Sequence, residues 1–166
     1  PDLITCAKGL TSGAVPMGAV VVKNDIYQAF MQGAPEAIEL FHGYTYSGHP
    51  LAAAAGLAAQ AVYREEGLFE RARSLESMWE EALHGLRGLP HVIDIRNLGL
   101  VGAVELESIA QKPTARAMAA FRECFDRGVL VRTTGDTVAL SPPLIVEEAQ
   151  IAQIVETLAE ALRQID

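Results

Sequence analysis

The sequence is poor in several residues that mark common protein classes. Cysteine occurs twice in 166 residues, as Cys6 and Cys124. These lone, distant thiols argue against a disulfide scaffold and suit a reducing, cytoplasmic setting. Positive charge is scarce, and the formal net charge of −8 is opposite to the basic face that a nucleic-acid partner needs. No apolar run reaches the roughly 18–20 residues that span a bilayer. The longest candidate, Leu51 to Tyr63, is alanine-rich, interrupted by Gly56 and Gln60, and reads as a buried helix. Half of the residues are hydrophobic and a fifth are charged, which excludes a disordered chain. Such a length allows one domain or parts of two, burying roughly 70% of the unfolded surface. The first residue is Pro1 rather than Met, and no signal peptide precedes the first apolar run, so the sequence reads as the continuation of something longer.

Hydrophobic periodicity divides what is there. Leu3–Ala7 is a short apolar run that predicts a buried strand, followed by a Gly/Thr/Ser loop and a second apolar run at Met17–Val22. Asn24 or Asp25 is placed to cap a short helix through Met31. Gln32–Ser47, with its Tyr44-Thr45-Tyr46-Ser47 cluster, reads as an extended loop. Pro50 suits the first turn of a helix running to about Glu66 and closed by Gly67. A second amphipathic helix runs from Leu68 to about Leu86. Strands follow at Val92–Arg96 and Leu100–Leu106, with Asn97–Gly99 as the turn. Then come a helix over Thr114–Arg127, a hairpin-like pair at Val129–Arg132 and Thr137–Leu140, and a last helix over Glu147–Ile165. The pattern predicts part of a larger α/β unit over residues 1–68 and a small α+β domain over 69–166.

Lysine is the scarcest basic residue: Lys8, Lys23 and Lys112 are all there are. The last two fall near element edges, where a solvated ammonium is the ordinary reading. Lys8 ends an apolar run and opens a loop of small residues. If β-strand and loop lie at the carboxyl end of a parallel sheet, where ligands gather, its amine would project into a cleft. A partly desolvated amine becomes a usable nucleophile. The competing reading is a surface lysine at a strand end. His42 and His49 lie on a loop with no cysteine or carboxylate at ligand spacing, so a metal site is rejected; His84 and His91 read as helix-surface and turn residues. Gly9, Gly13 and Gly18 do not form a phosphate-binding fingerprint. Tyr44 and Tyr46 could line a pocket or pack the loop.

Four blocks carry a resemblance. They are Ile4-Thr5-Cys6-Ala7-Lys8-Gly9-Leu10-Thr11-Ser12-Gly13 with Val15-Pro16-Met17-Gly18-Ala19-Val20; His42–Pro50 leading into Leu51–Gly56; Val92–Gly102; and Gly128–Arg132 with Gly135-Asp136-Thr137 and Ser141–Leu144. In this order they resemble the class III aminotransferases, which depend on pyridoxal 5'-phosphate (PLP), and most of all the omega-amino acid:pyruvate, or β-alanine:pyruvate, group. The resemblance implies a PLP-dependent transferase fold of type I, with the end of the large α/β domain joined to the small C-terminal α+β domain. It implies that Lys8 forms the aldimine with PLP and later shuttles a proton, that Thr45 bonds the cofactor phosphate across a dimer interface, and that Arg132 grips a substrate carboxylate. A loop bond within Thr45's own segment and an ion pair of Arg132 with Asp136 are the competing accounts; Arg96 reads as structural.

The same resemblance implies an amino donor and pyruvate as substrates, a homodimer or tetramer, and no nucleic-acid or membrane partner. The phosphate loop, the ring-stacking aromatic and the aspartate on the ring nitrogen would belong to an N-terminal part before Pro1, so residues 1–166 alone are expected to be incomplete and inactive. The alternatives are another class III enzyme (4-aminobutyrate, ornithine or diaminopelargonate aminotransferase, or an aminomutase) and a non-catalytic dimerisation module.

Overall fold

The computed structural model describes residues 1–37 and 40–166; Ile38 and Glu39, within the expected loop at 32–47, lie outside the described residues. The chain forms two compact units, Pro1–Gly67 and Leu68–Asp166.

In the first unit, β1 (Leu3–Ala7) pairs antiparallel with β2 (Gly18–Val22), from Leu3 opposite Val22 to Ala7 opposite Gly18. Two expectations change here. The sheet holding β1 is antiparallel, because the loop after it is short enough to fold β2 straight back. The strand is also not buried: Ile4 and Val21 are 50% and 57% exposed, since a two-stranded ribbon has nothing of its own to cover its faces. Helix α1 (Asn24–Phe30) starts one position earlier than a cap at Asn24 would allow and two earlier than a cap at Asp25 would. Lys23 occupies the N-cap without a side-chain bond, and Asp25 falls in the first turn, where its charge suits the helix dipole. Helix α2 (Pro50–Glu65) begins as expected, with Pro50 in its first turn, where a missing N–H costs nothing. Its cap is His49, whose Nδ1 accepts from the Leu51 N–H at 3.2 Å. Gly67, at φ +58°, closes the segment.

The second unit is an antiparallel sheet in the order β3-β4-β6-β5, with three helices. These are α3 (Leu68–His84), β3 (Val92–Leu98), β4 (Val101–Leu106), α4 (Ala115–Asp126), β5 (Arg132–Thr134), β6 (Thr137–Leu140) and α5 (Glu148–Gln164). Gly102, Val104 and Leu106 alternate inward along β4, as do Val138 and Leu140 along β6, the period of two that covers one face. Trp79 and Leu83 of α3, Cys124 of α4, and Leu158 and Leu162 of α5 complete that core, all fully buried. Each large apolar side chain so buried contributes about 1.5–3 kcal/mol. Glu147 and Gln150 form a reciprocal capping box on α5.

The hairpin expected from Val129 starts later, at Arg132. The Val129 N–H bonds the Cys124 carbonyl at 2.8 Å, and the Gly128 N–H bonds Phe125 at 2.9 Å. Both donors serve the end of α4, which leaves them unable to join a ladder. The turn between β3 and β4 is likewise tighter than expected, with Leu98 opposite Val101 across Gly99 and Leu100.

Candidate active site

Lys8 sits where β1 stops and a single 3-10 turn, Lys8–Leu10, begins. Its φ is +47°, a left-handed conformation that costs a residue with a Cβ about 1–2 kcal/mol. Ala7 before it is extended, so the chain swings out of the strand at the lysine. The loop holds this bend with its own bonds. The Lys8 carbonyl accepts from the Thr11 and Gly13 N–H groups at 3.3 and 3.1 Å, and the buried Thr11 donates from Oγ1 to the Val15 carbonyl at 2.6 Å. Tyr63, on α2, donates from its hydroxyl to the Gly9 carbonyl at 2.7 Å.

The Lys8 side chain is exposed in this chain and has no ion pair among the described residues, whereas Lys23 Nζ meets Asp2 Oδ1 at 2.6 Å. Two lysines at strand ends are therefore unlike: one is neutralised by a neighbouring carboxylate and the other is left open. Thr45, in the same unit, is exposed and makes no hydrogen bond among the described residues. The bond that closes its loop comes from Ser47, whose Oγ accepts from the Tyr44 N–H at 3.0 Å. Tyr44 and Tyr46 are both 78% exposed, each against a histidine ring: His42 edge-on at 5.4 Å and His49 at 5.9 Å.

Arg132 opens β5 in the second unit, opposite Ala139. It lines a cleft of about 990 Å³ whose other walls are largely apolar, among them Met118, Phe121, Leu130 and Ile154. No carboxylate pairs with it among the described residues. Asp136, its expected competitor for that role, accepts instead from the Thr114 N–H at 2.7 Å. Arg96 is the opposite case. Its Nη1 bonds Glu105 Oε2 at 2.7 Å and Asp94 Oδ2 at 2.6 Å, and these bonds raise its pKa above the ordinary arginine range.

His84 joins α3 to β3 through Nε2 and Asn97 Oδ1 at 2.9 Å, while its Nδ1 faces Arg87 Nη2 at 3.2 Å. Among the described residues no group of three or more His, Cys, Asp and Glu could hold a metal ion, and no helix is long and apolar enough to cross a membrane.

Lys8 and Thr45 lie in the first unit and Arg132 in the second. Taken singly, a primary amine, a hydroxyl and a guanidinium, none of them in an ion pair among the described residues, have the chemistry that suits an aldehyde, a phosphate and a carboxylate in turn, so these residue types fit PLP and an amino-acid substrate. Tyr63 and His49 were not apparent in the sequence as participants. Histidine is not a usual cap, and Tyr63 could have been found only by noticing that positions 52, 56, 59 and 63 share one face of α2.

Comparison with known proteins bears on the family and the fold. The family model for class III aminotransferases matches residues 1–162. An omega-aminotransferase of Caulobacter vibrioides is 58% identical over all of this chain and 38% of its own length. A beta-alanine–pyruvate aminotransferase of Pseudomonas aeruginosa is 42% identical over 99% of this chain and 37% of its own. The chain thus spans well under half the length of these curated relatives. Among solved structures, an amine transaminase from an uncultivated Pseudomonas species, in its PLP-bound form, superposes with a TM-score of 0.90 at 32% identity, covering 100% of this chain and 39% of that one. A transaminase with L-ala gives the same TM-score at 33% identity, over 98% and 40%. The backbone is that of the α/β PLP-dependent transaminases. Matched from Pro1 nearly to its last residue, the chain belongs to the class III aminotransferase family.

Proposed function

We propose that the protein to which this chain belongs transfers an amino group from an omega-amino acid or amine to pyruvate, with PLP as cofactor and Lys8 as the lysine that holds it. The observation that carries this reading is Lys8 itself: without an ion pair among the described residues, left-handed, and set at the strand end within the matched segment. When bound, PLP supplies the electron sink for the carbanion at the substrate carbon. Lys8 Nζ would hold the cofactor and would take and return the proton at Nζ, which requires an uncharged amine for part of the cycle. Thr45 Oγ1, from a second copy of the chain, would donate to the phosphate, and a dimer would then be the smallest working unit. Arg132 grips the substrate carboxylate with two parallel hydrogen bonds.

The choice of pyruvate and of an omega-amino donor rests on similarity to the Caulobacter and Pseudomonas relatives. A plant gamma-aminobutyrate transaminase and an adenosylmethionine-8-amino-7-oxononanoate aminotransferase are more distant, at 33% and 36% identity.

Borohydride reduction of the full-length protein with PLP, followed by peptide mapping, is expected to label Lys8. Lys8→Ala is expected to lower turnover by at least about 10²–10⁴-fold, the usual share of general acid–base catalysis. A label elsewhere, or none, sinks the assignment. Assays of β-alanine, 4-aminobutyrate and 1-phenylethylamine with pyruvate and with 2-oxoglutarate test specificity. Activity with 2-oxoglutarate alone would remove pyruvate from the proposal while leaving Lys8 in place.

A further inference from the structure

Helix α2 presents one narrow stripe to the lysine loop. Ala52 and Ala59 are buried on it, and Gly56 lies between them in the helical repeat. A Cβ at Gly56 would sit 3.5 Å from Met17 Sδ and 3.6 Å from the Leu10 carbonyl oxygen, so the helix runs close against the loop there. One turn beyond Ala59 on the same face, Tyr63 sends its hydroxyl to the Gly9 carbonyl at 2.7 Å. That carbonyl belongs to the residue directly after Lys8, and it also accepts a longer bond from the Ser12 N–H at 3.4 Å. The loop's internal bonds close it on itself but do not tie it to anything. Tyr63 is a side chain from outside the loop that bonds into it.

We infer that Tyr63 is a positioning residue for Lys8: its hydroxyl, through the Gly9 carbonyl, anchors the left-handed lysine turn to α2 and so fixes where the lysine amine stands. The inference rests on Lys8 being the cofactor lysine. A tyrosine reaches this carbonyl from a rigid helix, whereas a bond from within the loop would move with it. The bend at Lys8 is strained; the loop's own bonds hold it only relative to itself, and the bond from Tyr63 to Gly9 adds the tie to α2.

The test uses the full-length protein and Tyr63→Phe, which keeps the ring and removes only the hydroxyl. In the cofactor-free protein, amide exchange at Thr11, Ser12 and Gly13 is expected to quicken about tenfold, the size of one hydrogen bond's contribution, while amides within α2 stay as they are. In the PLP-loaded protein, the pH midpoint of the lysine–cofactor absorbance band should move and kcat should fall several-fold with KM nearly constant. Unchanged exchange and an unmoved midpoint, with Lys8 still labelled by borohydride in the wild type, overturn the role of Tyr63 alone. A wild-type protein that is not labelled at Lys8 overturns the functional reading and this one with it. Slower refolding or a lower melting temperature with faster exchange throughout α2 would mark Tyr63 as a packing residue and also count against the inference.

Discussion

Arg132 and Arg96 belong to the same four-stranded sheet and have opposite fates. Arg96 faces Glu105 and Asp94 and is satisfied by both; Arg132 faces an apolar cleft without an acid. A guanidinium in such surroundings holds a carboxylate bidentately, and an ammonium cannot reproduce that grip. Arg132→Lys in the full-length protein is therefore expected to raise KM for a carboxylated donor about 10–100-fold, the worth of a charge-assisted pair. KM for an amine without a carboxylate should change little. Equal losses for both donors would place Arg132 in the fold and not in recognition. At this scale the residue types were legible, because three lysines and four matching blocks leave few candidates. Their pairing was not. Asp136 stands four residues from Arg132 and was a fair partner on paper, yet its carboxylate is taken by the Thr114 N–H, a bond between residues 22 apart.

Elements show where local pattern suffices and where packing overrules it. Helices α2 to α5 lie within a few residues of their expected bounds, because Pro50, Gly67 and Gly128 mark their ends and apolar spacing marks their faces. Strand β5 moved because Val129 is held by the carbonyl of Cys124, a tie that apolar content does not reveal. Gly102, inside β4, is tolerated there for a tertiary reason: a Cβ would meet Leu83 Cδ2 at 2.5 Å and Trp79 Cζ2 at 3.2 Å. Gly102→Ala is expected to destabilise the second unit by about 1–3 kcal/mol through overpacking, read as a lower urea midpoint. Cys124, in the same core, has its thiol pushed up to about 11 by desolvation. Folded protein keeps that proton between pH 9 and 11 while unfolded chain releases it, so stability should fall as pH rises through this window. Comparing urea midpoints at pH 8 and pH 10.5 with those of Cys124→Ala checks this; an equal slope in both proteins would dissociate the effect from the thiol.

Across the whole molecule, apolar surface is unevenly covered. The core of the second unit is closed around Trp79, Val104 and Leu158, whereas Leu3, Ile4, Val20 and Val21 remain at least half exposed. In the 166-residue polypeptide studied by itself, amides of β1 and β2 are expected to exchange fast and those of β4 and β6 slowly, since opening free energy follows buried contacts. Mass-spectrometric exchange reads this directly, and comparable protection in both sheets would refute it. Since the chain spans under two fifths of the length of its curated relatives, we expect this polypeptide alone to hold PLP weakly and not to turn over; an absorbance band like that of intact transaminases would contradict this.

By itself the sequence determined the order of helices and strands after residue 50, through local periodicity and end signals, while the family resemblance of four blocks singled out Lys8, Thr45 and Arg132. Tertiary structure alone decided that β1 runs antiparallel and uncovered, that Arg132 has no ion pair among the described residues while Arg96 is doubly held, and that Tyr63 reaches the carbonyl beside Lys8. Each of these depends on groups distant in sequence meeting in space, and no local preference specifies such a meeting.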